Sequence, residues 1–317
     1  MIIQTLRPLS SGSGLRERNM NRAQHKLFVA FLVVPSFLIL FAVVFYPFIY
    51  NVVISFSNMN LRHIKDWSII GPQQYLKVFT EPTQPDFYMV FVKTIIWTVV
   101  NLTFHVVLGV FLALLLNQKD IKGKPIFRTL LILPWAIPQY IVALTWRGMF
   151  NYEYGSINLI ITKYLNLPAV EWLKSPTEAF IACILTNVWL GFPFMMVIAL
   201  GALQSIPGEL YEAADIDGAS WWHKLWRITI PLIRPVMIPA ITLGTVWTFN
   251  NLNIVWLVSN AGEPSDQTHI LVSFVYKAAF NLYRYGYAAA LSMVIFAILL
   301  GFSLVFMRST KATEAAY

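Results

Sequence analysis

Six apolar stretches, each of bilayer-spanning length, constrain this chain more than any other feature. They cover roughly residues 27–50, 88–116, 129–150, 179–203, 236–258 and 286–307. About 20 apolar residues in a helix cross the hydrocarbon core, and backbone polar groups find no water there. Only helices or closed barrels satisfy those groups in lipid, and the stretches are taken as helices. The expected fold is therefore all-α and polytopic, with about six transmembrane spans. Composition agrees: only 12% of residues are charged, against about 25% in soluble domains. A polar tail, residues 1–26, holds Ser10-Ser11-Gly12-Ser13-Gly14 and leads directly into the first stretch. No small-residue cleavage site separates the two, so the first stretch reads as an uncleaved span rather than a signal peptide.

Lysine and arginine set the orientation. Arg7, Arg16, Arg18, Arg22 and Lys26 precede the first span, and Lys119, Lys122, Lys124 and Arg128 crowd the short 117–128 loop. Lys224, Arg227 and Arg234 lie in the 204–235 loop, and Arg308 and Lys311 follow the last span. The opposite side has longer loops with a sparser set, chiefly Arg62, Lys65, Lys77, Lys163 and Lys174. Both termini and the 204–235 loop are thus expected in the cytoplasm, with tails at 1–26 and 308–317 around a membrane domain at 27–307. The net charge of +8 is a topology signal and not a nucleic-acid footprint.

Several chemistries are unsupported by these residues. The lone Cys183 excludes an internal disulfide, and the five histidines lie too far apart in sequence for ligand spacing, so no metal site is expected. No G-x-x-x-x-G-K-[ST] phosphate loop and no hydrolase motif occurs. The apolar stretches contain no Asp or Glu, hence no carboxylate for an intramembrane proton or ion relay. A transporter built this way needs its energy from elsewhere.

The 204–235 loop is a polar island that supplies an entry point for it. Ser205 is placed to cap a short helix, with Pro207 in its first turn. Glu209 and Glu212 follow, where the helix dipole favours negative charge. Ala213 and Ala214 leave a smooth face for close approach, and Gly218 is placed to end the helix in a left-handed conformation. Ser220 is placed to cap a second helix reaching to Pro231. The result is a knob between two spans.

Glu212-Ala213-Ala214, Gly218, Ile228 and Pro231 together resemble the EAA loop of binding-protein-dependent ABC importers, with Ile230 where leucine is usual. Asp217-Gly218-Ala219 and Pro235 resemble the sugar-importer permeases of the MalF type. Leu133-Pro134-Trp135-Ala136-Ile137-Pro138, Asn260-Ala261-Gly262-Glu263-Pro264, Tyr276-x-x-Ala279-Phe280 and Tyr285-Gly286-Tyr287-Ala288-Ala289-Ala290 extend the similarity over most of residues 27–307, with Glu263 a departure. The resemblance implies a type I importer permease fold in the inner membrane. It implies that Glu212, Ala213, Ala214, Asp217, Gly218 and Ala219 form a coupling helix docked in a groove of an ATPase. The implied partners are a second homologous permease, two ATP-binding subunits and an extracytoplasmic sugar-binding protein, besides membrane lipid. ATP and Mg would be bound by the ATPase subunits, and no cofactor by this non-catalytic chain.

The external segments near 51–87, 151–178 and 259–285 carry Trp67, Tyr75, Tyr152, Tyr154, Trp172, Tyr283 and Tyr285. These form either an interfacial aromatic belt or a docking surface for an extracytoplasmic partner. For the substrate path, Asn250, Asn251 and Asn253 cluster with Trp247, and Trp189 and Phe194 flank Gly191 and Pro193. Amides beside aromatic faces suit a sugar, and equally suit helix–helix packing. Lys93 and Arg147 in the outer halves of their spans either snorkel to the interface or favour an acidic oligosaccharide of the alginate-type uronate class. The alternatives are a secondary transporter or channel, or an ABC permease for a non-sugar solute.

Overall fold

The computed structural model describes residues 22–82, 85–118 and 120–310. The outer parts of the two tails, with Arg7, Arg16, Arg18 and Lys311, and Lys119 of the 117–128 loop lie outside the described residues. In chain order the helices are α1 (Arg22–Leu40), α2 (Tyr46–Ser55), α3 (Gln73–Thr80), α4 (Phe87–Asn117), α5 (Lys124–Ala136), α6 (Gln139–Met149) and α7 (Ser156–Tyr164). Then come α8 (Pro176–Gln204), α9 (Glu209–Ile216), α10 (Trp221–Lys224), α11 (Ile230–Phe249), α12 (Leu252–Val258), α13 (Leu271–Tyr276) and α14 (Tyr285–Thr310). Single π turns sit at Phe41–Phe45, Leu225–Thr229 and Lys277–Asn281. The fold is all-α and polytopic.

The chain divides after Asn51 into two units. In the first, a helix interrupted by the π turn at Phe41–Phe45 exposes every side chain from Leu27 to Tyr50. A helix apolar all round and unburied within its own unit is suited to lipid or another apolar surface. The second unit holds the rest. Long α4 and α8 pack together at its centre, joined by α11, around Ala113, Met195, Met196, Leu200 and Met237. The approach is close: a Cβ on Gly109 would lie 2.6 Å from Met195 Cβ and 2.8 Å from the Met196 nitrogen. A second cluster, with Trp97, Phe150, Cys183, Ile254 and Ile270, and a third, with Val78, Phe87, Phe274 and Leu291, continue the core.

Among the described residues five helical segments are long and apolar enough to cross a membrane, six if one bent pair counts as a broken span. The bent pair corrects the expectation of a single span over 129–150: α5 and α6 meet at 94°. The cause is local. Ile137 precedes Pro138 and is driven into the extended region (φ −82°, ψ 136°), so α5 stops there. Pro138 then opens α6, its carbonyl accepting from Ile141 N at 3.0 Å. Pro134, by contrast, stays inside α5.

The span expected over 236–258 also differs. Its helix begins at Trp221 and runs unbroken through Pro231, Pro235 and Pro239 to Phe249. Pro231 does not end the second helix of the polar loop, because it falls in the first turn of α11, immediately after the π turn at Leu225–Thr229. There Ile230 N donates to Leu225 O, a wider turn that accommodates the ring. The helix breaks instead at Asn250 and Asn251, between α11 and α12.

Candidate functional site

Two features stand out, and the first is the knob. Gly218 has φ +74°, with Gly218 N donating to Asp215 O at 3.1 Å and Ala219 N to Ala214 O at 2.9 Å. This closes α9 in the six-to-one pattern of a left-handed helix cap. Ser220 caps α10, its side chain accepting from His223 N at 3.3 Å. Ser205 does not cap α9. It closes α8 by donating to Ala202 O at 2.7 Å, and Gly208 occupies the N-cap of α9. Pro207 therefore precedes the helix rather than lying in its first turn, because four residues, Ser205 to Gly208, separate α8 from α9.

No residue of α9 is buried. Glu212 and Ala213 are exposed, Ala214 and Ala219 half-buried, and Ile216 is 87% exposed. Two contacts brace α9 from behind. Tyr211 Oη lies 2.9 Å from Thr229 Oγ1, and Lys224 Nζ lies 2.5 Å from Asp215 Oδ1. Asp217 and Gly218 are exposed at the tip. α9 thus presents exposed carboxylates, small alanines and the exposed Ile216 side by side, held by these two contacts against the start of a span.

The second feature is a cavity of about 540 Å³ lined by α4, α5, α6, α8, α11 and α12. Gln139, Asn187, Asn250, Asn251 and Asn253 supply amides, and Trp135, Phe194 and Trp247 supply aromatic faces. The rings form a connected wall, with Trp135–Phe194 centroids 6.1 Å apart and Phe194–Trp247 centroids 5.2 Å apart. The helix break shapes the polar side. Asn251 caps α12 by accepting from Ile254 N and donates to Asn187 Oδ1 at 2.7 Å. Asn253 donates to Gln139 Oε1 at 3.0 Å. Asn187 is 3% exposed, and its Nδ2 has no hydrogen-bond partner among the described residues. Among the described residues no Asp, Glu, Lys or Arg lines the cavity. Unwound backbone is tolerated at membrane depth where it borders such a cavity.

The structure brings together Phe194, Trp247, Asn250, Asn251 and Asn253 and separates the other three sequence candidates. Trp189 points away, packing on Trp146 with centroids 5.9 Å apart. It lies on a different face of α8 from Phe194, five residues on. Lys93 donates to the carbonyl of Gln267 in the external loop. Arg147 sits in the last turn of α6, beyond the cavity lining. Sequence reading passed over Asn187, Gln139 and Trp135; an amide isolated in the apolar run of α8 was the available signal.

The external segments fold on themselves. Asn158, 3% exposed, bonds Tyr152 O, Val170 N, Val170 O and the Trp172 indole within 3.2 Å. In the segment 259–270 the non-glycine residues Asn260, Ala261, Ser265 and Asp266 have positive φ. That loop covers His269, which is fully buried and bonded to Ser273 and Asp266.

Comparison with known proteins places this arrangement. Residues 105–311 match the family described as binding-protein-dependent transport system inner membrane component. The galactooligosaccharides transport system permease protein GanP of Bacillus subtilis is 37% identical, over 88% of this chain and 69% of the relative. The maltodextrin transport system permease protein MalC of Streptococcus pneumoniae is 35% identical, over 89% of this chain and 69% of the relative. The fold is similar to that of a bacterial ABC transporter involved in import of the acidic polysaccharide alginate, with TM-score 0.78 and 20% identity over 93% of this chain and all of that one. A match across most of the chain, at these identities, leaves one conclusion: the chain belongs to the ABC transporter permeases that are the inner membrane components of binding-protein-dependent transport systems.

Proposed function

We propose that this chain is the non-catalytic permease subunit of an ATP-driven importer of a neutral oligosaccharide. The observation that carries the reading is the uncharged cavity at the break between α11 and α12. Its volume falls in the range of about 300–1,000 Å³ usual for small-molecule sites. Sugar hydroxyls need hydrogen-bond partners and sugar C–H faces stack on aromatic rings, and this wall offers both. A uronate carboxylate would enter without a cation to meet it, which is costly away from water. That argues for a neutral cargo, in line with relatives named for galactooligosaccharides and maltodextrin.

Trp135 and Trp247 are about half exposed at the cavity's edge, as expected where a second homologous permease completes the path. The knob at Glu212, Ala213, Ala214, Asp217, Gly218 and Ala219 is the docking helix for one of two ATP-binding subunits, facing the cytoplasm together with both termini. ATP and Mg belong to those subunits. An extracytoplasmic binding protein delivers the sugar. ATP-driven closure of the ATPases pushes α9, and the helix from Trp221 to Phe249, roughly 40 Å long, carries the displacement to Asn250–Asn253. This is a ligand-biased two-state element in the sense of rigid-body switching.

The test is uptake by the complete transporter in vesicles, offered neutral and uronate oligosaccharides in parallel. Asn250→Ala and Asn253→Ala should each lower neutral-sugar uptake about tenfold with basal ATP hydrolysis retained. Glu212→Lys should release the ATPase during purification. Uptake that continues without any ATPase, or a preference for uronates, would overturn the reading.

A further inference from the structure

His105 is the one imidazole facing the cavity among the described residues, and the transport scheme above leaves it without a task. It sits on α4, 4% exposed, with Nε2 2.9 Å from the main-chain carbonyl of Asn187 on α8. A carbonyl only accepts, so the imidazole donates through Nε2–H. The ring fills the space beside Gly191: a Cβ there would lie 2.3 Å from both Cε1 and Nε2. Glycine is thus what lets the ring reach the α8 backbone.

Asn187 is pinned twice. His105 holds its main chain, and Asn251, from the helix break, holds its side-chain oxygen at 2.7 Å. What is left unoccupied is Nδ2, a buried donor on a residue of the cavity wall. A buried donor without a partner is unfavourable until a ligand supplies an acceptor. Holding such a donor in place before the ligand arrives lowers the ordering cost of binding.

We propose that His105 is a positioning residue for substrate recognition, fixing α4 against α8 so that the Asn187 amide presents Nδ2 to a sugar oxygen. This rests on the carbohydrate reading of the cavity. His105 acts through Asn187 and need not touch the sugar.

The experiment uses the purified whole transporter without its binding protein. Labelled maltodextrin, galactooligosaccharide and alginate oligosaccharide pools are offered to the wild type, and the pool bound by equilibrium dialysis serves as the probe. His105→Leu should weaken that binding about fivefold, the loss of one hydrogen bond. His105→Gln, which restores a donor near Nε2, should recover most of it. In an Asn187→Ala background, His105→Leu should cause no further loss. Wild-type affinity in His105→Leu, equal loss in His105→Leu and His105→Gln, or an additional loss on top of Asn187→Ala overturns the assignment. If His105→Leu cannot be purified, Gly191→Ala, which displaces the ring, gives the same comparison against His105→Gln. Failure of the wild type to bind any of the pools overturns the carbohydrate reading itself, a result separate from the variant pattern.

Discussion

The Tyr211 hydroxyl lies 2.9 Å from Thr229 Oγ1, tying the helix that carries Glu212 to a π turn at the base of a span. Thr229 is 4% exposed, and its hydroxyl also reaches Lys224 O at 3.2 Å. Lys224 in turn holds Asp215. The ion pair is largely solvated on the Asp215 side, and exposed pairs contribute little. The hydroxyl pair is therefore the stronger strap. A hydrogen bond of this kind is worth about 1 kcal/mol, enough to change the population of a docked orientation roughly fivefold. On the coupling reading, Tyr211→Phe should leave ATP hydrolysis running while the sugar moved per ATP falls severalfold. Parallel uptake and phosphate-release assays on the same vesicles check it. An unchanged ratio would mean the strap only supports folding.

Gly218 offers a sharper separation of backbone from contact effects. Its φ is +74°, yet a Cβ there would meet nothing within 4 Å. Alanine should cost only the left-handed backbone term, about 1 kcal/mol, and asparagine less. Proline should cost far more, since Gly218 N donates to Asp215 O and a proline cannot reach that φ. Melting temperature and ATPase retention across Gly218→Asn, Gly218→Ala and Gly218→Pro should fall in that order. Equal losses for alanine and proline would show that the position tolerates no side chain because a partner presses on it.

Much of the fold was legible because membrane spans write themselves as apolar runs, and because Gly218 and Ser220 are local signals whose geometry depends on their own backbone. The break at Asn250–Asn251 was harder. Three asparagines in a span read as ligands or glue, and nothing local showed that one of them would cap α12. Pro231 misled for the opposite reason: proline usually ends a helix, but a π turn just before it removes the conflict. The His105–Asn187 bond joins residues 82 apart in sequence, and Trp189 and Phe194 are told apart only by which neighbour each one meets. Lys93 read either as a snorkelling side chain or as a cation for an acidic sugar, and its bond to the Gln267 carbonyl was not legible from spacing. Tertiary packing decides such cases, and periodicity carries no record of it.

The Lys93 contact has a direct consequence. Its contact is with the external loop, not the cavity, so Lys93→Met should weaken uptake of neutral and acidic oligosaccharides by the same factor. The measurement is a competition of the two sugar classes for uptake into vesicles. A selective loss of the acidic class would return Lys93 to the substrate path.

Asn158 organises the segment between α6 and α8. Its side chain donates to Tyr152 O and Val170 O and accepts from Val170 N and the Trp172 indole. Removing it leaves three partly buried backbone groups of Tyr152 and Val170 without this partner, at up to about 1 kcal/mol each. Asn158→Ala should therefore loosen this external segment, and Asn158→Asp should do so less, since the acceptor contacts remain. Hydrogen exchange of residues 151–172 in the purified transporter reads the effect locally. Protection unchanged in Asn158→Ala would mean the segment is held by Trp172 packing on Phe150 alone.

His269 makes the external loop over 259–270 sensitive to acid. Burial pushes its imidazole from the usual 6.5 down to about 4, with Asp266 opposing the shift and Lys277 reinforcing it. Asp266 is itself held by Lys277 at 2.5 Å, and Glu263 is the other acidic neighbour felt by the ring. The neutral ring fits the fold and the charged ring does not. The unfolded loop takes up a proton near pH 6.5, whereas the folded loop resists until about pH 4. Stability is therefore complete above pH 6.5, declines as pH falls through that interval and levels off below it. A displacement of this size corresponds to something on the order of 3 kcal/mol. Hydrogen exchange of residues 259–277 should accelerate between pH 6.5 and 4 beyond the intrinsic trend. His269→Asn, which keeps a short polar side chain without a titrating ring, should flatten that dependence at some cost in protection at neutral pH. The same acid response in His269→Asn would assign it to Asp266 and Lys277 instead.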